Sequence, residues 1–188
     1  MSIYELNKTR RTVRKFAQKP IDESLLRDMV DAARLCPSGA NLQPLRYRIV
    51  TDDAARAELF PHLAWAGYLK DGAPKEGERP MAYIVVVQDE SLRSSDAPYD
   101  AGAAMMTMTL MAHEAGISAC WIGSVNRRGV QELYNLPEHM RVVLVLSLGY
   151  PAEESREVSM PEDGSVRYWL DEERVLNVPK RTLEDILF

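Results

Sequence analysis

The sequence feature that most limits the possible folds is the run from Ala82 to Gln88, which reads Ala-Tyr-Ile-Val-Val-Val-Gln. β-Branched and aromatic residues favour a strand, and apolar side chains here occupy both alternating faces. A strand that is apolar on both faces has to be covered on both faces, usually by helices. The run therefore predicts a central strand inside a layered domain.

Helical patterns lie on both sides of this strand. Asp22 offers an N-cap side chain to a helix that must end near Cys36, because Pro37 pushes the residue before it out of the α region. The apolar residues of this helix recur at helical spacing: Leu25, Leu26, Met29, Val30 and Ala33. A second helix, from Ala101 to Ala115, is nearly all apolar, and we expect it to be buried all round, with Gly116 as its left-handed cap.

Other segments complete an alternation of strands and helices without a repeat period, which indicates a layered α/β or α+β domain. The β-rich runs are Tyr47–Thr51, Ile117–Ile122 and Val142–Leu148, and short helices are predicted at Ile3–Lys8 and Gly129–Tyr134. The length of 188 residues, with 46% hydrophobic, fits a single domain over residues 1–188. Leu59 to Pro80 carries Trp65 and Tyr68 and then turns polar and glycine-rich, so we expect a helix that leads into a mobile lid.

Composition excludes several classes of function. The net charge of −5 gives no global positive field for nucleic acid or an anionic membrane, so any bound anion must be held locally. The two cysteines, Cys36 and Cys120, have neither disulfide-framework nor zinc spacing, and we expect a cytoplasmic protein with no metal site. Whether these cysteines have a redox role is left open. No signal peptide or membrane-spanning run is legible in the sequence.

The familiar catalytic motifs are also missing. The chain has no phosphate-binding P-loop, no dinucleotide-binding glycine motif, no nucleophile elbow and no zinc-protease motif. Three histidines, His62, His113 and His139, lie in different elements, and each on its own is more often structural than catalytic. General acid–base chemistry by side chains therefore has little support.

The strongest local feature is the basic run Arg10, Arg11, Thr12 and Arg14. Three guanidiniums beside a hydroxyl suit a phosphate dianion. The alternative is a solvated basic face balanced by carboxylates, and composition alone favours that alternative. A second basic pair, Lys180-Arg181, could close on the same site or simply decorate the surface.

Two loops expose backbone amides next to small residues. Pro37-Ser38-Gly39 follows a helix and would let a flat ligand approach closely, although on its own it is better explained as a helix terminator. Ile122-Gly123-Ser124 ends a predicted strand, and ligands of layered sheets gather at strand ends.

Taken in order, five segments resemble the nitroreductase family of flavoproteins, and together they span nearly the whole chain. The resemblance reverses the preference for a solvated basic face. The segments are Arg10–Phe16, Pro37–Pro44, Gly116–Gly123, Leu148–Pro151 and Val178–Arg181.

The resemblance implies an α+β fold of three layers, in which a mixed, mainly antiparallel sheet is flanked by helices. It also implies an intertwined homodimer with one FMN in each of two sites at the subunit interface. The apolar helix 101–115 is our candidate for part of that interface, and residues 59–80 correspond to the family's variable, substrate-facing region.

Carried over to this chain, the resemblance assigns cofactor-binding roles to individual residues. Arg10, Arg11, Thr12 and Arg14 would lie on the phosphate, ribityl and pyrimidine side of FMN, with Lys180 and Arg181 approaching the phosphate from the C-terminal segment. Pro37, Ser38 and Gly39 would come from the other subunit to the ring. Ile122, Gly123 and Ser124 would place a backbone amide opposite flavin N5, and Gly123 stands where some members of the family carry glutamate.

The function implied is hydride transfer from NAD(P)H through flavin N5 to a nitroaromatic, a quinone or a similar small acceptor. No catalytic side chain is required, because the flavin carries the chemistry. If Trp65 and Tyr68 share a helix face, one of them could stack on the acceptor, although packing of both is an equal alternative. Other readings are a reductive dehalogenase or flavin-modifying enzyme of the same fold, or a non-catalytic flavin-binding module.

Overall fold

A computed structural model describes all residues, 1–188, and contains five helices and eight strands. The helices are α1 (Ile3–Thr9), α2 (Glu23–Arg34), α3 (Asp53–Leu59), α4 (Pro98–Glu114) and α5 (Arg127–Leu133). The strands are β1 (Phe16–Ala17), β2 (Leu45–Val50), β3 (Ala82–Asp89), β4 (Ser118–Ile122), β5 (Met140–Pro151), β6 (Ser155–Ser159), β7 (Trp169–Leu170) and β8 (Leu176–Lys180). Single 3₁₀ turns occupy Gly39–Asn41 and Phe60–His62.

The main sheet has five strands, all paired antiparallel. Strand β3 lies between β2 and β5, and the other edge of β5 pairs with β4 and then with β1. An isolated parallel bridge between Thr12 and Ala119 extends this edge. Strands β6, β8 and β7 form a small second sheet, in which β6 and β8 are parallel. The predicted mixed, mainly antiparallel arrangement is confirmed.

The two faces of β3 belong to two different cores. Ile84 and Val86 pack with α2 and α4, whereas Tyr83, Val85 and Val87 pack with elements on the opposite face, including α5 and the end of α3. All eight residues of β3 are buried. The double-sided apolar run thus produces the expected three-layer α/β/α arrangement.

Helix α4 is less completely covered than the sequence suggests. Its buried side faces the sheet and α2, and its residues there include Met105 and Met108. A second stripe stays half-buried in one chain, at Gly102, Ala103, Met106, Thr107 and Leu110. The expectation of burial all round is therefore wrong for the isolated chain. No helix of the fold combines the length and the apolar character needed to cross a membrane.

The predicted helix ends agree with the structure. The side chain of Asp22 accepts a hydrogen bond from the Ser24 N–H at the start of α2, and α2 ends at Arg34. Gly116 follows α4 with φ +74°, the left-handed conformation that glycine adopts without strain.

The expectation of a helical lid over residues 59–80 is wrong in its secondary structure. The helix, α3, precedes this segment and ends at Leu59, and after the 3₁₀ turn at Phe60–His62 the chain has only turns, bends and an isolated bridge as far as Met81. Glycines and prolines recur through this stretch and favour turns over a continuous helix.

Candidate functional site

A cavity of about 230 Å³ opens beside the end of β4. Its walls bring together residues from three distant segments that the sequence singles out: Arg14, Trp65 and the strand-end residues Ile122, Gly123 and Ser124. Strand β4 runs antiparallel to β5 up to Ile122, and the chain leaves the sheet at Gly123. The strand end therefore lies at the cavity wall, as the sequence predicts.

The backbone at this strand end is arranged asymmetrically. The Gly123 carbonyl accepts hydrogen bonds from the Val125 N–H at 3.1 Å and from the Arg127 guanidinium at 3.1 Å, and the Ser124 carbonyl accepts from the Ala64 N–H at 3.0 Å. The N–H groups of Gly123 and Ser124 make no hydrogen bond within the protein. Two successive donors are thus available to a ligand, while both carbonyls are held away.

The segment that follows α3 is fastened to this same loop. The Asn126 N–H donates to the His62 carbonyl at 2.8 Å, and Leu63 forms a bridge with Val125. Gly129 in α5 lies against the His62 ring, so closely that a Cβ added to Gly129 would lie 2.3 Å from Nδ1. These contacts fix the position of Trp65, three residues after His62.

Trp65 and Tyr68 do not share a helix face, so that expectation is wrong. The Trp65 ring stacks on Phe60, with centroids 5.7 Å apart, and its buried indole N–H has no hydrogen-bond partner. Tyr68 is 51% exposed and packs against Tyr168 at 4.9 Å. Only Trp65 lines the cavity.

Arg14 reaches the cavity from the segment between α1 and β1. Its backbone N–H donates to the Glu153 carboxylate at 2.5 Å, and its guanidinium lies over the Tyr168 ring, 4.9 Å from the centroid. The guanidinium has no carboxylate partner. Burial raises the pKa of the neighbouring Cys120 thiol, which therefore stays neutral.

The neighbouring arginines of the basic run have opposite environments. Arg11 forms an ion pair with Glu157 at 3.2 Å, and its side chain is 13% exposed. Arg10 is half-buried without a carboxylate partner, and burial, followed by the charge of Arg11, lowers its pKa. Thr12, which pairs with Ala119, is likewise half-buried. The unpaired guanidinium makes Arg10, rather than Arg11, the better candidate for holding an anion.

His113 lies beside this positive region and was not singled out by the sequence as a binding residue. Its Nε2 lies 2.9 Å from the Thr9 hydroxyl at the end of α1. Burial lowers its pKa, and so do the charges of Arg10 and Arg11. The same neighbours would favour a bound anion. Lys180 and Arg181 make no hydrogen bond or ion pair with this region, and Lys180 ends β8 opposite Ser159.

The loop at Pro37, Ser38 and Gly39 lies elsewhere in the chain. It borders a separate cavity of about 120 Å³ between the end of α2, β2 and the start of α4, and that cavity shares no lining residue with the strand-end cavity. One chain therefore does not bring this loop to the strand-end cavity. The Ser38 hydroxyl donates to Asp100 at 2.5 Å.

Besides His113, three residues that contact the predicted site were missed by the sequence reasoning: Arg127, Tyr168 and Asp100. Asp100 carried a usable signal, since it is the only charged residue from Pro98 to Ala112. The other two carried none, because surface arginines and tyrosines are common in any chain.

The comparison with known proteins agrees with this geometry. The family model described as "Nitroreductase family" matches residues 8–150. The chain belongs to the nitroreductase family. Members of this family are oxidoreductases and generally depend on FMN.

Relatives of this nitroreductase-family chain carry several activities in their names. A protein of Methanothermobacter thermautotrophicus, named "Putative NADH dehydrogenase/NAD(P)H nitroreductase", is 29% identical over 90% of this chain and 88% of its own length. An iodotyrosine deiodinase of Thermotoga neapolitana is 28% identical over 79% of this chain and 88% of its own. Among solved structures, an FMN-dependent nitroreductase of Clostridium difficile R20291 has a TM-score of 0.66 at 23% identity, covering 81% of this chain and 89% of that one.

Proposed function

We propose that this chain is an FMN-dependent oxidoreductase that takes hydride from NAD(P)H and reduces a nitroaromatic, a quinone or a similar small acceptor. One observation carries the proposal: the unpaired N–H groups of Gly123 and Ser124 border the same cavity as the Arg14 guanidinium, which lacks a carboxylate. Unpaired donors and a cation at a cavity wall suit a heterocycle that carries hydrogen-bond acceptors and gains negative charge on reduction, such as a flavin.

The residues present fit FMN in three places. Arg10, supported by Thr12 and His113, would hold the phosphate. Arg14 would lie at the pyrimidine edge, where a guanidinium stabilises negative charge on the ring. The Gly123 and Ser124 amides would meet N5, and Trp65, whose buried indole N–H has no partner, lines the same cavity.

Two of the predicted FMN contacts have less support from the geometry: that of Arg11 and that of the pair Lys180 and Arg181. The ion pair with Glu157 engages Arg11, so we assign this residue to fixing the segment and leave the phosphate to Arg10. Lys180 and Arg181 lie at the end of β8 and beyond, and their approach to the phosphate remains a proposal based on the family resemblance.

When bound, FMN supplies hydride acceptance and donation at N5, and this chemistry needs no acidic or basic side chain from the chain. The chain's contribution is binding and orientation. The contacts of His62 with Asn126 and Gly129, here called the His62 clamp, hold Trp65 at the cavity. The Arg127 guanidinium holds the Gly123 carbonyl, so that the adjacent amides stay free. The buried Cys120 thiol takes no part.

We further propose a homodimer in which Pro37, Ser38 and Gly39 of one subunit complete the flavin site of the other. The separation of the two cavities in one chain supports this arrangement. The half-buried stripe of α4 and the exposed C-terminal side chains supply apolar area for such an interface. Those side chains are Leu183, Ile186, Leu187 and Phe188.

The test is the rate of NADH and NADPH oxidation with menadione or nitrofurazone as acceptor, compared with an equal concentration of free FMN. The proposal expects a rate well above that of free FMN and linear in protein concentration. An equal rate would identify a flavin-binding module instead. Turnover of an iodinated tyrosine with poor turnover of both test acceptors would favour the dehalogenase alternative, which the deiodinase relative also represents.

A further inference from the structure

The buried carboxylate of Asp100 is engaged by donors from outside its own helix. Its side chain is 6% exposed, and it lies in the first turn of α4. Oδ2 accepts from the Ser38 hydroxyl at 2.5 Å, and Oδ1 accepts from the Gly39 N–H at 3.3 Å and from the Arg93 guanidinium at 3.3 Å. A first-turn carboxylate commonly caps its own helix, but Asp100 accepts no hydrogen bond from α4.

The loop that Asp100 contacts is held in an uncommon conformation. Ala40, Asn41 and Gln43 have φ of 50°, 55° and 49°, which places three non-glycine residues in the left-handed region within four positions. Such backbone costs free energy and persists only where surrounding contacts impose it.

Here a relay of two hydrogen bonds, one to and one from the Ser38 hydroxyl, imposes this left-handed backbone. The Gln43 N–H donates to the Ser38 hydroxyl oxygen at 2.9 Å, and the same hydroxyl donates its proton to Asp100. The relay closes the loop from Ser38 to Gln43 and ties it to α4. A carboxylate suits this position because it only accepts, which fixes the direction of the Ser38 O–H.

Gly39 provides the room for this contact. A Cβ at Gly39 would lie 2.8 Å from Nη1 of Arg93 and 3.8 Å from Oδ1 of Asp100. The guanidinium therefore packs directly on the Gly39 backbone while it pairs with the carboxylate. Charge compensation by Arg93 lets the carboxylate stay buried.

We propose that Asp100 is a positioning residue that, through Ser38 and Gly39, holds the 37–43 loop in the shape that contacts the flavin of the partner subunit. This inference rests on the proposed function, which assigns the loop to the flavin site. Asp100 itself touches neither the flavin nor the acceptor in this account. Its effect passes through the loop, whose shape would otherwise relax.

The experiment compares Asp100→Asn and Ser38→Ala with the control Asp171→Asn. Asp171 has a similar set of donors far from the loop: its side chain is 23% exposed, it accepts from the Val175 N–H at 2.8 Å and from the Asn177 side chain at 2.9 Å, and it pairs with Arg156 at 2.8 Å. For each protein, hydrogen exchange of the peptide covering residues 37–43 is measured without FMN, and the FMN Kd is measured by quenching of flavin fluorescence. The melting temperature reports general damage.

Asp100→Asn places an NH₂ group where the surrounding donors require an acceptor, so hydrogen exchange in the loop should become faster. The FMN Kd should rise about tenfold or more, as expected when charge-assisted hydrogen bonds are lost. Ser38→Ala should speed loop exchange as well, and it serves alone if Asp100→Asn does not fold. Asp171→Asn should lower the melting temperature while loop exchange stays within about twofold of wild type.

Two results would overturn the proposal: unchanged loop exchange and Kd in both test variants, or an equal change in loop exchange in the Asp171→Asn control. Wild-type protein that binds no FMN would contradict the proposed function itself and, with it, this inference. Normal wild-type binding with unaffected test variants would contradict the positioning role alone. The two failures are therefore distinguishable.

Discussion

The strand end at Gly123 and Ser124 and the loop at residues 37–43 are both backbone segments assigned to one ligand, yet they use their polar groups in opposite ways. At the strand end, two amides and the Trp65 indole N–H have no protein partner. In the loop, the N–H groups of residues 39, 41, 42 and 43 all donate within the chain. A ligand can satisfy the free amides of Gly123 and Ser124, whereas a loop in which most N–H groups are already bonded offers mainly shape.

This difference separates two ways of contributing to a site. In the proposed site, the strand end and the arginines would supply hydrogen bonds and charge to FMN, and the loop would supply a rigid surface that covers the ring. Variants of the first region should change ligand affinity directly, and variants of the second should act through loop order.

The largest effect is expected from the contrast between adjacent arginines. Arg10→Ala should raise the FMN Kd by about 10- to 150-fold, because one charged hydrogen bond contributes roughly 1.5–3 kcal/mol. Arg11→Ala should change the Kd by less than about threefold, since the Arg11 guanidinium is already engaged by Glu157. Fluorescence titration of both variants checks this. Equal losses in the two would contradict the contrast between them, and an unchanged Kd in Arg10→Ala would show that the phosphate lies elsewhere.

The His62 clamp, which holds Trp65 at the cavity, can be disrupted by a substitution at Gly129. Gly129→Ala places a Cβ against the His62 ring and should lower the free energy of unfolding by about 1–3 kcal/mol, despite the better helix propensity of alanine. Hydrogen exchange of the backbone amides of residues 62–66 should become faster in the same variant. The control is the same substitution in a His62→Ala background, where the added Cβ no longer meets the imidazole ring and the loss of stability should shrink. A melting temperature at or above that of wild type in Gly129→Ala would refute the clamp.

Trp65 and Tyr68 should separate acceptor binding from packing. Trp65→Phe removes a buried donor that has no partner, so it should leave the stability of the FMN-free protein almost unchanged. It should lower kcat/KM for menadione by about three- to tenfold, which is the size of an aromatic contact. Tyr68→Phe should keep kcat/KM, because Tyr68 lies outside the cavity. The reverse pattern would move the acceptor site to Tyr68.

The smallest effect concerns pH. The pKa of His113 is lowered in the folded protein, so the unfolded state binds the proton more readily. Its contribution to stability is therefore complete above the ordinary histidine pKa and declines as the pH falls below it. His113→Gln should flatten this part of the urea stability profile between pH 5 and 7. Binding of phosphate next to Arg10 should raise the His113 pKa in an NMR titration; an unchanged value would argue against an anion there.

Elements that rest on local chemistry were predictable from the sequence. The N-cap at Asp22, the left-handed Gly116 and the two-sided apolar β3 each follow from residues within a few positions, and the structure confirms all three. The strand end at Gly123 was predictable for the same reason. The arginine run could be located, but only the structure distinguishes Arg10 from Arg11, because Glu157 is 146 positions from Arg11.

The expectations that were wrong or missing depend on contacts between residues that lie far apart in the sequence. The spacing of Trp65 and Tyr68 suits a helix, but Phe60 and Tyr168 hold the two rings in different places, and Tyr168 is 100 positions from Tyr68. The contact of Asp100 with Ser38 joins residues 62 positions apart. The open stripe on α4 depends on what covers it, which a pattern of apolar residues does not specify.

The central claim is that the strand end and the unpaired arginines form an FMN site. The most direct measurement is titration of the purified protein with FMN, followed by absorption and fluorescence after removal of free flavin. The account predicts one FMN retained per chain, with visible flavin bands and quenched flavin fluorescence. A colourless protein that retains no added FMN would contradict it.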